Sequence, residues 1–365
     1  MAVQERRSYA HMVAAIFKRE DPGGVLWQPR LEFWYQVNAK RGALPPHLRG
    51  AGILDVYDYC HASVRYFGNG LRRRHKRVEI IETWETPQRL RRVWQTPVGA
   101  LSELVGYDEW QLSSHNLEYR VKKPEDFEVV QFMRQDEEWY WDGEAYATDV
   151  ARNGDRGLPQ FYYRRSPIQG LFIEEMGFES TLYMMHDQPE VIARYVEMET
   201  EADDAMYDVI CRCPAPIVNM GENIDAHMDP PPIWRKHLIP YYRKRTEQLH
   251  RAGKRVYIHV DGAMKPLLPY LRDCPWDAIE ACTPLPQGDV TIGEIKAGLG
   301  DQILLDGIPA LFFLPSFPLE MLTECVKQVV DAFYPHLVLG ISDEIPPDGD
   351  IERVRLVGEM VQDMV

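Results

Sequence analysis

His259 and Asp261 stand two residues apart at the end of the apolar run Val256-Tyr257-Ile258-His259-Val260. Residues at that spacing on a strand share a face, so an imidazole and a carboxylate are predicted side by side. Two chemistries suit the pair. It could supply adjacent ligands of a divalent metal, completed by Cys282 or Glu222 from neighbouring segments. Alternatively, Asp261 could orient His259 for general acid–base work. A hydrogen-bonded core histidine beside a helix-capping aspartate is the third option. Cys282 follows Glu280 at the same spacing, as a ligand or as a small apolar core residue. Glu222, in Gly221-Glu222-Asn223-Ile224-Asp225, sits where a catalytic acid belongs, or it caps a loop.

A further polar cluster, Ser342-Asp343-Glu344, follows the apolar run Leu337-Val338-Leu339-Gly340-Ile341. The acids up to Asp350 could close a pocket or start the last helix. Trp27, Arg30, Tyr162, Tyr163, Asn223 and Asp343 are the candidates for substrate binding. Arg164 and Arg165 follow the tyrosines, either as forks for a carboxylate or as solvated cations.

The elements that must position these groups alternate regularly in the C-terminal half. Short apolar strands at 216–220, 256–260, 278–281, 302–305 and 337–341 are separated by helical stripes. Trp234, Leu238, Tyr241, Arg245 and Leu249 form one such stripe, and Leu319, Leu322, Val326, Val329, Val330 and Phe333 another. Asp350 is placed to cap a final helix whose inner face is Val354, Val357 and Val361. Strands buried on both faces between amphipathic helices indicate parallel βαβ units. No Gly-x-Gly-x-x-Gly opens a helix after a strand, which disfavours a dinucleotide fold. The expected fold is α/β, a (β/α)8 TIM barrel in one domain spanning residues 1–365, with an elaborated N-terminal half. Strands are also expected at Val25-Leu26-Trp27 and 158–162, with an irregular, hairpin-containing stretch at about 70–155. One strand closing the barrel must come from the region between them. In such a barrel chemistry sits at the C-terminal ends of the strands.

Composition removes several classes of function. A formal net charge of −15 opposes wrapping of a phosphate backbone, and the one basic run, Arg72 to Arg77, has no aromatic residues interleaved. Six dispersed cysteines do not form the dense framework of a small secreted domain and read as reduced thiols. Met1 to Arg19 lacks a continuous apolar leader, and Ile308 to Pro315 is far too short to span a bilayer. A cytoplasmic protein that binds neither nucleic acid nor membrane is expected.

The stretch through Pro230-Pro231-Pro232, Tyr241-Tyr242-Arg243-Lys244, His250-x-x-Gly253-Lys254 and His259-x-Asp261-Gly262 resembles the uroporphyrinogen-decarboxylase superfamily. So do the runs Ile279 to Val290 and Gly340 to Pro347. The likeness is clear over roughly 215–360 and faint before that. It implies the barrel and either of two chemistries. Cofactor-free decarboxylases of the family carry an arginine-rich motif after the first strand, where only Arg30 stands here. They also carry a histidine after the last-strand glycine, where this chain has Ile341. Corrinoid-dependent methyltransferases hold zinc with a His-x-Cys pair and a last-strand cysteine. Here His259 matches the histidine, Asp261 takes the place of the first cysteine, and Ser342 or Asp343 that of the second. Cys282 and Glu222 are the residues that could compensate.

The resemblance therefore implies a methyltransferase that moves a methyl group from a small methylated substrate, such as a methoxylated aromatic, to a corrinoid protein. Zinc would be bound by His259, Asp261, Cys282 and Glu222, and the catalytic residues would be Glu222, Asp261 and His259. No Asp-x-His-x-x-Gly corrinoid signature occurs in the chain, so cobalamin would arrive on a separate protein. A second copy in a homodimer is the other partner considered. The alternative is a cofactor-free decarboxylase acting on a carboxylic acid, with Asp261 or Glu222 in proton transfer.

Overall fold

The computed structural model describes residues 8–364. Along the chain, β1 (Leu26–Trp27) is followed by six strands between residues 71 and 141. These are β2 (Leu71–His75), β3 (Glu79–Thr86), β4 (Arg89–Thr96), β5 (Gly99–Tyr107), β6 (Ser114–Glu118) and β7 (Glu137–Trp141). Then come β8 (Gln160–Tyr162), β9 (Ile217–Ile224), β10 (Arg255–Val260), β11 (Ala278–Glu280), β12 (Ile303–Pro309) and β13 (Leu337–Ser342). The chain divides into two compact units. The first comprises residues 1–69, 143–163 and 214–365; the second comprises 70–142 and 164–213.

In the first unit seven strands form one sheet in the order β1-β13-β12-β11-β10-β9-β8, every pairing parallel. Both faces must be covered in such a sheet, and β12 and β13 are buried at every residue. The covering helices follow the expected stripes except at Leu319, which is exposed at its helix start. Helix Leu319–Phe333 buries Leu322, Val326, Val329, Val330 and Phe333. Helix Ile351–Gln362 buries Val354, Val357 and Val361, and the Asp350 side chain accepts a hydrogen bond from the Glu352 N–H at its start.

The first residues of the strands, Leu26, Ile217, Ala278 and Ile303, cluster with Val338 and Tyr257. Met12, Val13, Ile16 and Phe17 of helix Tyr9–Lys18 pack against this cluster. The N-terminal end of the sheet is thus sealed by apolar side chains, which leaves the opposite end for polar ones.

A closed eight-stranded barrel is not what the structure shows. Between the edge strands β1 and β8 runs the segment Ser63–Phe67, which forms no strand. The Ser63 N–H donates to the Trp27 carbonyl at 2.8 Å, and Phe67 and Gln160 exchange two backbone hydrogen bonds of 3.2 Å. Only that isolated bridge, antiparallel in sense, stands where an eighth ladder would be. The sheet curls far enough for one segment to touch both edges, but its ring of pairing is incomplete.

The second unit carries a four-stranded antiparallel sheet, β3-β4-β5-β6, and a separate antiparallel pair, β2-β7. The hairpin-like segments at 78–84 and 90–94 are β3 and β4, joined in register from Glu79↔Gln95 to Thr86↔Arg89. Helices Asp126–Asp136, Phe178–Asp187 and Pro189–Arg212 complete this unit.

Candidate active site

In the first unit, the parallel register of β10 and β11 sets His259 directly beside Glu280. The His259 Nδ1 lies 2.9 Å from Glu280 Oε2, and Glu280 is fully buried. Glu280 collects further donors: Asn219 Nδ2 at 2.9 Å, Arg65 Nη1 at 2.7 Å and the Tyr66 hydroxyl at 2.6 Å. Arg65, also fully buried, reaches Asp306 Oδ1 on β12 at 2.6 Å and the Gln28 carbonyl at 2.9 Å. An arginine fork between two carboxylates is rigid and directional, which is why it can hold both without water.

Two backbone features make room for this pair. Asp306 has φ +80°, a left-handed conformation that costs about 1–3 kcal/mol in a non-glycine residue. Its side chain is fixed by Arg65 and by the Ala281 N–H at 3.2 Å. Opposite it, Gly340 has no side chain; a Cβ there would stand 2.3 Å from Asp306 Oδ1 and 3.0 Å from Arg65 Nη2.

The electrostatics follow from the contacts. Burial pulls the His259 pKa down, but the hydrogen bond to Glu280 and its charge outweigh it and hold the imidazole above its ordinary value. Burial pushes Glu280 up, yet His259 and Arg65 keep its carboxyl well below the usual range. Burial raises Asp306, with Arg65 opposing it. His259 keeps 7% of its surface exposed, and among the described residues its Nε2 makes no hydrogen bond. The ring is thus held through Nδ1 alone, with Nε2 left to meet another group.

Arg30, just after β1, is ion-paired with Asp343 and lies 3.8 Å from Glu344. Its guanidinium sits over the Tyr66 ring, 5.4 Å from the centroid. Burial raises the Glu344 carboxyl to about 7, with Arg30 opposing and Asp343 adding to the rise. Tyr162 is exposed and meets Tyr66 edge-on at 5.4 Å.

Among the residues singled out from sequence, His259, Arg30 and Asp343 therefore belong to this end of the sheet, with Tyr162 at its rim. The partner of His259 is Glu280 and not Asp261. β10 ends at Val260, and the Asp261 carboxylate instead accepts from the Gly262 N–H at 2.5 Å, closing its own turn. Cys282 does not continue the face of Glu280 either, because Ala281 turns the chain with φ +67°. Its thiol is fully buried and its pKa is pushed up by that burial. Trp27 is a core residue stacked on Phe313 with centroids 6.4 Å apart. Glu222 is 3% exposed on β9, Tyr163 is buried beyond β8, and Asn223 is half-buried.

Among the described residues no group of three or more His, Cys, Asp or Glu side chains is placed to hold a metal ion. The four ligands expected for zinc are not assembled as a donor set. The acids after Asp343 are pinned instead: Trp34 Nε1 bonds the Gly349 carbonyl and Asn38 Nδ2 the Pro347 carbonyl, each at 2.9 Å. They wall a cleft of about 490 Å³ with Trp34, Asn38 and His47, to which none of the His259 network contributes.

Arg65, Asp306, Asn219, Gln28 and Tyr66 were not among the candidates, and Glu280 was placed at a strand end without a role. Asp306 and Asn219 had a signal, being polar residues inside the apolar runs at 303–308 and 217–220. Arg65 and Tyr66 had none, because their segment has no regular structure.

Residues 171–364, more than half of the chain, match the family model of uroporphyrinogen decarboxylase (URO-D). No curated protein sequence matches. Among solved structures, a methyltransferase from Methanosarcina mazei superposes with a TM-score of 0.61 at 12% identity, covering 98% of this chain and 99% of that one. A B12-independent methionine synthase from a Shewanella species, in complex with selenomethionine, gives a TM-score of 0.43 at 8% identity over 85% of each chain. The first likeness extends the shared fold over nearly the whole length. With more than half of its length matched to the family model, this chain belongs to the uroporphyrinogen decarboxylase (URO-D) family.

Proposed function

We propose that this protein is a methyltransferase that demethylates a small uncharged substrate, a methoxylated aromatic being the class that fits best. The observation that carries the reading is the charge balance around His259. Arg65 and Arg30 are the arginines of the site, and four carboxyl groups, Glu280, Asp306, Asp343 and Glu344, already engage them. A polycarboxylate would find neither guanidinium uncommitted and only the outward nitrogen of His259 to meet its several charges. An ether needs only a proton at its oxygen as the methyl group leaves.

His259 supplies that proton. Glu280 favours the charged imidazole and fixes the orientation of its ring, while Arg65 and Asn219 fix Glu280. As the methyl carbon is attacked, the bonding pair of the carbon–oxygen bond stays with oxygen and the Nε2 proton neutralises it. The methyl acceptor is a corrinoid on a separate protein, which supplies the attacking electron pair. The placement of His259, Asp261, Cys282 and Glu222 does not make a zinc site, and no step is assigned to a metal.

The test is demethylation of a methoxylated phenol with cob(I)alamin as acceptor. His259→Gln should lower kcat by about 100-fold or more, the usual worth of a positioned general acid. A variant as fast as wild type would refute the role of His259.

A further inference from the structure

The second unit holds a cavity of about 530 Å³ whose lining includes Arg73, His75, Arg92, Arg120, Arg134 and Arg164 together with Trp94, Val105 and Tyr107. Glu82, Glu103 and Glu174 also reach the wall. The first two are bonded by Arg92 at 2.7 and 2.6 Å and the third by Arg165 at 2.6 Å. The acids that hold the other arginines in place lie behind the wall. Arg134 is bonded to Glu137, Glu175 and Glu199 at 2.6–2.9 Å, Arg164 to Glu137 and Asp203, and Arg120 to Glu175. These four carboxylates are 1–4% exposed.

Such a layering leaves donors pointing forward. Arg73 uses one N–H group on Glu137 at 2.9 Å, and among the described residues its Nε and Nη2 have no hydrogen-bond partner. Arg120 spends Nε and Nη2 on Glu175 and keeps Nη1. The buried Nε of Arg164 and Nδ1 of His75 are unpartnered as well. Burial, and then the charges of Arg134, Arg164 and Arg120, pull the Arg73 pKa below the ordinary guanidinium value in spite of Glu137. An added negative charge at that wall would relieve this repulsion. The indole of Trp94 lies among these arginines, with Arg120 4.6 Å and Arg92 5.8 Å from its centroid, and Val105 and Tyr107 add apolar surface to the wall. A cavity of this volume is of ligand size.

We infer that the second unit binds a small organic anion, its carboxylate or phosphate on Arg73 and Arg120 and its apolar body against Trp94 and Val105. This site shares no residue with the His259 network, and occupying it requires nothing of the methyl-transfer reading.

Calorimetric titration of the full chain tests the inference, with benzoate and phenylphosphate as probes and benzyl alcohol as the uncharged comparator. At least one anion should saturate, at least about 10-fold more tightly than the alcohol, and the tighter of the two identifies the anionic group. Arg73→Gln should weaken it about 10-fold and Arg73→Lys less, because the lysine keeps the charge but not the fork. Arg74→Gln, on the same strand but outside the cavity, should leave it unchanged, and so should His259→Gln. Failure of both anions to saturate below about 10 mM would overturn the inference, as would unaltered binding to Arg73→Gln or loss of binding in His259→Gln.

Discussion

At the residue scale the account turns on Glu280, which acts only through His259. Its carboxylate raises the imidazole pKa, so the folded protein binds that proton more tightly than the unfolded chain does. The stabilisation is complete below the unfolded value of about 6.5 and is lost as pH rises through the higher folded value. Glu280→Gln should therefore move the His259 titration, followed by NMR of labelled imidazole, to lower pH. The alkaline limb of kcat should move with it. An unmoved titration would mean that the hydrogen bond does not set the charge of His259. The variant also leaves Arg65 with one carboxylate in place of two. A cost of about 3–5 kcal/mol, typical of a broken buried ion pair, is expected in chemical denaturation.

At the scale of elements, the site depends on close approach of β12 and β13. Gly340→Ala would drive a Cβ into Asp306 and Arg65. Expected are a loss of about 1–3 kcal/mol, as for other overpacked cores, and a sharp fall in demethylation. Asp350→Ala, which removes only the helix cap, should cost about 1 kcal/mol and leave kcat unchanged. Equal effects of the two on kcat would contradict a site built on that approach. The same elements mark how far sequence can be read. Strands β9 to β13 were legible because burial on both faces demands apolar runs, and the final helix because its cap and stripe agree. Asp261 and Cys282 were placed by extending strand alternation past the strand ends. A tight turn at Gly262 and the left-handed Ala281 break that alternation, and neither is written in the apolar pattern. The sheet's eighth position was illegible for a related reason. Ser63–Phe67 gains its place through Arg65 and two edge contacts, not through a strand's own pairing.

At the scale of the molecule, family and fold leave two reactions open, and the proposal of methyl transfer rests on charge. The arginines of this site, Arg65 and Arg30, are occupied by Glu280, Asp306, Asp343 and Glu344, in a chain of net charge −15. That arrangement suits an uncharged methyl donor. The most direct measurement is product analysis of the purified protein given, in parallel, a methoxylated phenol with cob(I)alamin and a polycarboxylate tetrapyrrole. The account predicts free phenol and methylcobalamin from the first and no carbon dioxide from the second. Carbon dioxide release from the tetrapyrrole, with the methoxy group left intact, would contradict it.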